Sequence, residues 1–154
     1  MSQDRLILIT NPGSSSRKYA LYLGKELLCN LHFEFEDGSI VYTLKKADGS
    51  EKKVKTEMKS LTSIISHLAE ILTAEGFLGG LNKIDVILAR VVAPGEYFSH
   101  DHIVDAECLK QLEIAKERAP LHVPVVANEI EHFISSFKDT PVVILSDSEY
   151  HNNL

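Results

Sequence analysis

The 154-residue sequence has no tryptophan and only two cysteines, Cys29 and Cys108, which are far apart in the chain. Two distant thiols are too few for the disulfide framework of a small secreted domain. We therefore predict a cytoplasmic protein with free thiols. Both cysteines lie among apolar residues, so we expect their side chains in the core.

The sequence also lacks long apolar runs and an excess of basic residues. No segment approaches the roughly 18 apolar residues of a membrane span, and residues 1–10 do not have the pattern of a signal peptide. The net charge of −6 argues against nucleic acids and anionic membranes as general partners. With 44% hydrophobic and 25% charged residues, the composition excludes disordered and fibrous classes and fits one domain with a substantial core.

The first third of the chain has the pattern of an antiparallel meander. Strands are predicted at residues 5–10, 18–23, 27–35, 39–45 and 51–57. Asp37-Gly38 and Asp48-Gly49 are typical hairpin turns. One face of the third strand carries Leu27, Cys29, Leu31, Phe33 and Phe35.

From Ser60 onwards, helical patterns alternate with strands. Apolar residues at helical spacing follow Ser60, and Gly76 supplies a stop. Asp105 is a candidate N-cap for a helix that ends at Arg118, and Pro124 suits the first turn of another. The expected inward residues of these two helices are Ala106, Leu109 and Leu112, then Val126, Ile130, Phe133, Ile134 and Phe137.

Two further strands are predicted at 84–92 and 141–146, each a buried apolar run. The order is therefore several antiparallel strands, a helix, a strand, two helices and a strand. Alternation of this kind implies parallel strands joined by right-handed crossovers. The fold class is α/β.

The most polar turn follows the first strand, in the segment LILITNPGSSSRK (residues 6–18). Gly13 permits backbone N–H groups to approach an anion, three serines add hydroxyl donors, and Arg17 and Lys18 supply positive charge. The P-loop pattern is absent, and the chain returns as a strand. The segment thus predicts a phosphate-binding β-hairpin, with a plain polar turn as the alternative.

Four segments, in order, resemble the motifs of the acetate kinase family. NPGSSSRK resembles N-A-G-S-S-S-x-K, and ARVVAPGEYFS resembles H-R-V-V-H-G-G-E-x-F. APLHVP resembles A-P-L-H-N-P, and LSDSEYH resembles F-D-T-A-F-H. Together these segments extend from residue 11 to residue 151, which is nearly the whole chain.

The resemblance implies the ribonuclease H-like fold of the actin-like ATPases, a mixed sheet that begins with an antiparallel meander. It also implies transfer of the γ-phosphoryl group of ATP to acetate or another short carboxylate, with Mg²⁺ and ATP used by the full-length protein. Residues 1–154 would be a single N-terminal domain. The C-terminal nucleotide-binding domain would be absent from this chain, which alone would be inactive.

The resemblance further implies several partners and a phosphate site. The partners are a small carboxylate, ATP, the C-terminal domain and a second copy in a homodimer, but neither nucleic acid nor a membrane. Asn11, Ser14, Ser16 and Lys18 match the family's phosphate-binding residues. Asn11 and Asp147 are the candidate Mg²⁺ ligands.

The remaining site residues carried over from the family surround the substrate. Arg90 matches the arginine that engages the carboxylate or the transferring phosphoryl group, and His122 matches a histidine that contacts the transition state. Val92 and Leu121 match the apolar wall around the methyl group of acetate. Asp147 matches the catalytic aspartate.

Departures from the family motifs leave the function open. They include Ala89, Ala93, Pro94 and Val123, together with Ser146, Ser148 and Glu149. Proline removes a backbone donor and fixes φ where the family has glycine, so these departures predict an altered substrate pocket. Besides an acetate kinase, the sequence allows a non-catalytic binding or regulatory module with a degenerate substrate site, or a kinase for a larger carboxylic acid.

Two other clusters have structural and functional interpretations. His100 and His102 could bind a metal, although such a pair in a loop is usually solvated. The lysines at positions 45, 46, 52, 53 and 55 form a basic hairpin. A solvated sheet edge is favoured there over a partner site.

Overall fold

The computed structural model describes residues 4–79 and 83–146. These residues form one eight-stranded mixed sheet with three helices packed on it. The strands are β1 (Leu6–Pro12), β2 (Ser16–Leu23), β3 (Glu26–Glu36), β4 (Ser39–Lys46), β5 (Glu51–Lys55), β6 (Val86–Val91), β7 (His102–Ile103) and β8 (Val142–Ser146). The helices are α1 (Ile64–Ala74), α2 (Ala106–Arg118) and α3 (Val123–Ser136), and 3₁₀ turns lie at Leu61–Ser63 and Tyr97–Ser99.

The strand order is β5-β4-β3-β2-β1-β6-β8-β7. Strands β1 to β5 pair antiparallel in sequence order, which confirms the predicted meander. Asp37 and Gly38 both have positive φ, 52° and 80°, as a two-residue hairpin turn of this hand requires. Strands β1, β6 and β8 run parallel, which confirms the predicted helix–strand alternation.

All three helices cover the same face of the sheet. Helix α1 buries Ile64, Ile65, Leu68 and Leu72 against the antiparallel strands. Helices α2 and α3 pack over β6 and β8 in an adjoining cluster, and α3 contacts both other helices. Both cysteines are buried, as expected. None of these helices is long and apolar enough to cross a membrane, within the part of the chain that the structure describes.

Two predicted inward residues are wrong, although the caps are confirmed. Asp105 Oδ1 accepts a hydrogen bond of 2.8 Å from the Cys108 amide and so caps α2. The buried face of α2 consists of Cys108, Leu112 and Ala115. Ala106 precedes Cys108 by two residues, so its side chain lies about 200° away from that of Cys108 around the helix axis. It is exposed.

On α3 the buried residues are Val126, Ala127, Glu129, Ile130 and Phe133, and Pro124 lies in the first turn as predicted. Ile134 is 39% exposed, because it lies beyond the edge of this stripe. The inclusion of a glutamate among the buried residues was not expected from the sequence.

The basic hairpin lies at the outer edge of the sheet, where the sequence favoured it. Strand β5 is an edge strand. Lys52 Nζ lies 2.7 Å from Glu75 Oε1, and Lys53 Nζ lies 2.6 Å from Glu36 Oε2. These lysines therefore pair with local carboxylates at the edge of the sheet.

His102 has structural contacts rather than a metal-binding arrangement. Its ring stacks on Tyr97 with centroids 3.8 Å apart, and its Nε2 lies 2.6 Å from the Tyr97 carbonyl oxygen. Among residues 4–79 and 83–146, no three potential ligands of the His, Cys, Asp or Glu type come together.

Candidate functional site

The serine segment forms the tip of the β1–β2 hairpin, as predicted. Pro12 and Arg17 are the last paired residues, and the amide of Gly13 donates to the Ser16 carbonyl at 2.9 Å. A Cβ at position 13 would lie 3.3 Å from that carbonyl oxygen, closer than such contacts normally allow. The close approach of the two backbones therefore favours glycine here, since a larger residue would shift the loop by a few tenths of an ångström.

Arg17 does not face the solvent side of the loop, contrary to its predicted role as a cation for an anion. It is 7% exposed, because it shares the inward face of β2 with Tyr19 and Leu21. Its Nη1 donates to the carbonyl oxygen of Gly13 and, at 3.2 Å, to that of Ser16. The guanidinium thus binds the loop backbone from inside the protein.

A cavity of about 390 Å³ lies beside the loop, where β1 and β6 end. Its walls come from the hairpin, from the end of β6 and from the start of α3. The lining residues are Asn11, Pro12, Gly13, Ser14, Arg90, Val92, Leu121, His122, Val125 and Val126. Open α/β sheets place ligands at such carboxyl ends of parallel strands.

The parallel register explains why Asn11 and Arg90 meet. Thr10 pairs with Ala89 in the β1–β6 ladder, so Asn11 and Arg90 follow it on adjacent strands. Both belong to the face of the sheet opposite the helices, as the alternation of buried and accessible residues shows. An amide and a guanidinium are therefore adjacent at one end of the sheet.

The start of α3 supplies the third wall. His122 is its N-cap residue and is exposed. The N-terminus of a 14-residue helix carries partial positive charge, which favours an anion nearby. Leu121 and Val92 are 77% and 69% exposed, and they add apolar surface at the rim. The site can therefore bind a small anion that has an apolar end.

Six of the nine predicted site residues line this cavity: Asn11, Ser14, Arg90, Val92, Leu121 and His122. Lys18 is exposed and lies opposite Asn11 in the hairpin, but it is not a lining residue. Ser16 acts through its carbonyl oxygen, which closes the loop. Asp147 lies outside the described residues.

Four motif departures are not among the cavity-lining residues. Ala89 and Val123 are buried in the cluster formed by α2, α3 and β6, and Ala93 packs against it. Pro94 is exposed before the 3₁₀ turn. Ala89, Ala93 and Val123 are chain neighbours of lining residues, so an altered pocket stays a prediction, with an indirect effect on the cavity wall.

Ser146 has a structural explanation. Its hydroxyl donates to the Phe98 carbonyl at 2.6 Å, and its amide donates to Asp101 Oδ1 at 2.6 Å. These bonds attach the end of β8 to the segment that follows β6. Ser148 and Glu149 lie outside the described residues.

The sequence analysis missed Glu129, which lies behind the serine loop. It is 3% exposed, and Tyr19 donates its hydroxyl hydrogen to Glu129 Oε1. Burial raises the pKa of Glu129 to about 7, while the Tyr19 hydrogen bond and the Arg17 charge oppose that shift. A charged residue within the apolar stripe of α3 was the available signal.

A larger groove of about 580 Å³ lies elsewhere, between β4, the segment after β5 and α1. Tyr42, Met58, His67 and Ile71 are among its lining residues, and none of the predicted site residues lies there. The smaller cavity at the strand ends is therefore the candidate functional site, because the chemistry is located there.

Comparison with known proteins gives one family. The family model of the acetokinase family matches residues 6–154. The acetate kinase of Oceanobacillus iheyensis is 30% identical over 151 residues, and that of Caldanaerobacter subterraneus subsp. tengcongensis is 32% identical over 158 residues. Each alignment covers 96% of this chain and 38% of the relative.

Solved structures give the same fold. A propionate kinase from Francisella tularensis subsp. tularensis superimposes with a TM-score of 0.82 at 27% identity, covering 97% of this chain and 38% of that one. Porphyromonas gingivalis acetate kinase has a TM-score of 0.83 at 23% identity, covering 95% and 38%. These neighbours confirm the predicted actin-like ATPase fold with its antiparallel meander.

The chain spans about 38% of the length of the relatives that it matches. The family match includes the serine loop, Arg90 and His122, and it covers all eight strands of the sheet. The chain therefore belongs to the acetokinase family.

Proposed function

We propose that the protein containing this chain is a carboxylate kinase, which transfers the γ-phosphoryl group of ATP to acetate or another short carboxylate. The products are an acyl phosphate and ADP. The observation that carries the proposal is the cavity in which Arg90 and Ser14 meet Val92 and Leu121. A cation and a hydroxyl beside apolar side chains suit a ligand with an anionic end and a short apolar end.

Each lining residue has a role in this proposal. Phosphoryl transfer needs positioning and charge neutralisation more than covalent help. Arg90 would bind the carboxylate or the transferring phosphoryl group through two parallel hydrogen bonds. Asn11 and Ser14 would donate to phosphate oxygens, and His122 would contact the transition state. Ser16 and Lys18 would support the phosphate site from the same hairpin.

The apolar rim would select the acid. Val92 and Leu121 would contact the alkyl group of the substrate, which favours a carboxylate over inorganic anions. The relatives named acetate kinase and propionate kinase support a short acid. The volume of about 390 Å³ does not restrict the acyl group to acetyl, so propionate and butyrate are candidate acceptors beside acetate.

The described lining alone does not fit a magnesium ion. Mg²⁺ prefers one or two carboxylates together with phosphate oxygens and water, and the cavity lining contains one amide, from Asn11, and no carboxylate. The family implies Mg²⁺ and ATP for the full-length protein, and Asp147 remains the proposed carboxylate.

A non-catalytic binding module is the second candidate. It was suggested by the departures at Ala89, Ala93, Pro94 and Val123. None of these residues lines the cavity, so their effect on the site would be indirect. Both candidates would bind phosphate or a carboxylate, so binding does not separate them. Only the kinase would form an acyl phosphate.

Binding is tested on the 154-residue chain by NMR. We expect saturable shifts of the Asn11 and Ser14 amides with sodium phosphate, and of these two amides and the Arg90 Nε–H with acetate or butyrate. Arg90→Gln should abolish the shifts of the Asn11 and Ser14 amides that acetate and butyrate cause. The control, Lys116→Gln on the exposed face of α2, should leave them unchanged. Absence of saturable shifts with all three ligands would contradict the proposed site.

Turnover is tested on the full-length protein encoded by the gene. Acyl phosphate is trapped as the hydroxamate with acetate, propionate and butyrate as acceptors. We expect product with at least one acid and a large loss in Arg90→Gln and Asp147→Ala. If the wild type phosphorylates none of the three acids, the kinase proposal is wrong and the binding module is favoured.

Four other expectations stay predictions. They are the assignment of residues 1–154 to a single N-terminal domain, the inactivity of the chain alone, the homodimer, and the cytoplasmic location. Trapping acetyl phosphate from the isolated chain would contradict the predicted inactivity of the chain alone.

A further inference from the structure

The loop that carries Ser14 is attached to α3 by a chain of buried polar contacts. Glu129 lies one turn beyond the lining residues Val125 and Val126 of α3. Its Oε2 is 3.9 Å from Arg17 Nε, and the two side chains are 4% and 8% exposed. Water therefore has little access to this pair.

Arg17 connects Glu129 to the backbone of the loop. Its Nη1 donates to the carbonyl oxygens of Gly13 and Ser16. The Ser16 oxygen also accepts the Gly13 amide hydrogen, the bond that closes the loop. Arg17 therefore holds both ends of the turn.

The direction in which these carbonyl groups point affects whether the loop can bind an anion. Carbonyl oxygens carry partial negative charge and would repel a phosphate, whereas backbone N–H groups attract it. Because the carbonyls of Gly13 and Ser16 are bound by a cation on the inner side, Ser14 and Ser15 are left on the exposed outer side of the turn. The arrangement favours binding of an anion from outside.

We propose that Arg17 and Glu129 are positioning residues, which fix the serine loop against α3 and so hold two walls of the cavity in register. This inference rests on the proposed function, because it concerns the phosphate site of that reaction. Arg17 itself does not touch the ligand. Glu129 acts one step further back, by holding the guanidinium.

A purely stabilising role is a poor explanation of the pair. Buried ion pairs are often no better than apolar residues of similar size, because both charges lose their hydration. The 3.9 Å separation is long for a strong pair. The contacts of Arg17 with the loop give the pair a function beyond stability.

The test separates stability from positioning with an apolar double variant. Arg17→Met/Glu129→Met removes both charges and keeps similar volumes, so the folded state is retained while the loop contacts are lost. Arg17→Met alone leaves the buried Glu129 carboxyl without its counter-charge and should be the least stable variant above pH 7, where this group is ionised in the wild type. Lys116→Gln, which breaks an exposed pair with Glu113 on α2, is the matched control.

Loop order is measured by hydrogen exchange of the Gly13 amide, relative to the Leu8 amide in the middle of β1. In the double variant we expect Gly13 to exchange at least about tenfold faster while Leu8 is unchanged. The control should match the wild type. Wild-type protection of Gly13 in the double variant would overturn the proposal.

Glu129→Gln serves if the double variant does not fold. It keeps an acceptor for Tyr19 but, above pH 7, where Glu129 is ionised, it removes the charge that holds Arg17. Measured at such a pH, Gly13 should again lose protection selectively. Protection equal to that of the wild type would overturn the proposal in this arm as well.

Phosphate titration then distinguishes this inference from the proposed function. We expect the double variant to bind inorganic phosphate about tenfold more weakly than the wild type. Equal affinity in the two proteins would overturn the positioning role. If the wild type does not bind phosphate but Gly13 still loses protection in the double variant, the loop restraint is supported and the phosphate site is wrong.

Discussion

Arg17 Nε and Glu129 Oε2 lie 3.9 Å apart in the protein interior, one on the sheet and the other on the helix layer. From the sequence, Arg17 and Lys18 were both expected to supply positive charge to an anion at the serine loop. Successive residues of a strand point to opposite faces, so only one of these two neighbours could face the solvent. The two sets of alternating residues in 18–23 are about equally polar. The local sequence therefore could not show which of Arg17 and Lys18 faces the solvent.

The elevated pKa of Glu129 predicts how stability depends on pH. Its folded-state value of about 7 exceeds the ordinary value of 4.5, so the folded protein retains a proton that the unfolded chain has lost between these values. The free energy of unfolding should therefore fall as the pH rises from about 4.5 to about 7, by up to about 3 kcal/mol. Above that range this contribution levels off.

Urea unfolding of wild type and Glu129→Gln across this pH range measures the effect. The difference between the two curves isolates Glu129, because every other titratable group is present in both proteins. Glu113→Gln, which removes an exposed carboxylate, should run parallel to the wild type. Parallel curves for Glu129→Gln as well would show that Glu129 has no elevated pKa.

The regular elements could be predicted because their signals are local. Apolar residues that recur every two residues indicated the strands, and those that recur every 3.6 residues indicated the helices. Asp37-Gly38, Asp105 and Pro124 marked element boundaries. The edge strand β7 has only two residues, and the 3₁₀ turn at Tyr97–Ser99 has three. Both are too short to show a period, so the sequence analysis missed them.

The site was predictable only in part. Motifs indicated Arg90, His122 and the serine loop as candidates. The β1–β6 pairing explains why the loop and Arg90 lie together, and the start of α3 brings His122 to them. The contact of Tyr19 with Glu129 joins residues 110 positions apart, and no local pattern encodes such a distance. A charged residue in an apolar helical stripe indicates that a buried partner exists, but it does not identify that partner.

Removing the N-cap of α2 should destabilise the protein without affecting the cavity. Asp105→Ala loses the 2.8 Å bond to the Cys108 amide and should lower the free energy of unfolding by about 1 kcal/mol. Asp105→Asn, which retains an acceptor, should stay within about 0.5 kcal/mol of the wild type. Equal losses in the two variants would show that the carboxylate charge, rather than the cap, is responsible.

Both thiols should react slowly in the folded protein. Burial is the main cause of the raised pKa of Cys29, about 11, and the pKa of Cys108 is also raised. Thiolate is the reactive form, and the two side chains are 1% and 0% exposed. Labelling with a disulfide reagent should therefore follow unfolding, and rapid labelling of either cysteine under native conditions would contradict the burial.

Gly13→Ala should weaken anion binding more than it destabilises the fold. The added Cβ would lie 3.3 Å from the Ser16 carbonyl oxygen, and the loop would have to shift by a few tenths of an ångström. That shift would disturb the Gly13 amide, which closes the turn, and the Arg17 contacts below it.

Ser15→Ala is the matched control for this variant, because Ser15 is exposed in the same loop and is not among the cavity-lining residues. We expect it to bind phosphate like the wild type, while Gly13→Ala binds about tenfold more weakly. Thermal unfolding should show a loss of no more than about 1 kcal/mol for either variant. If Gly13→Ala kept wild-type affinity for phosphate, the close packing of Gly13 against Ser16 would matter only for folding.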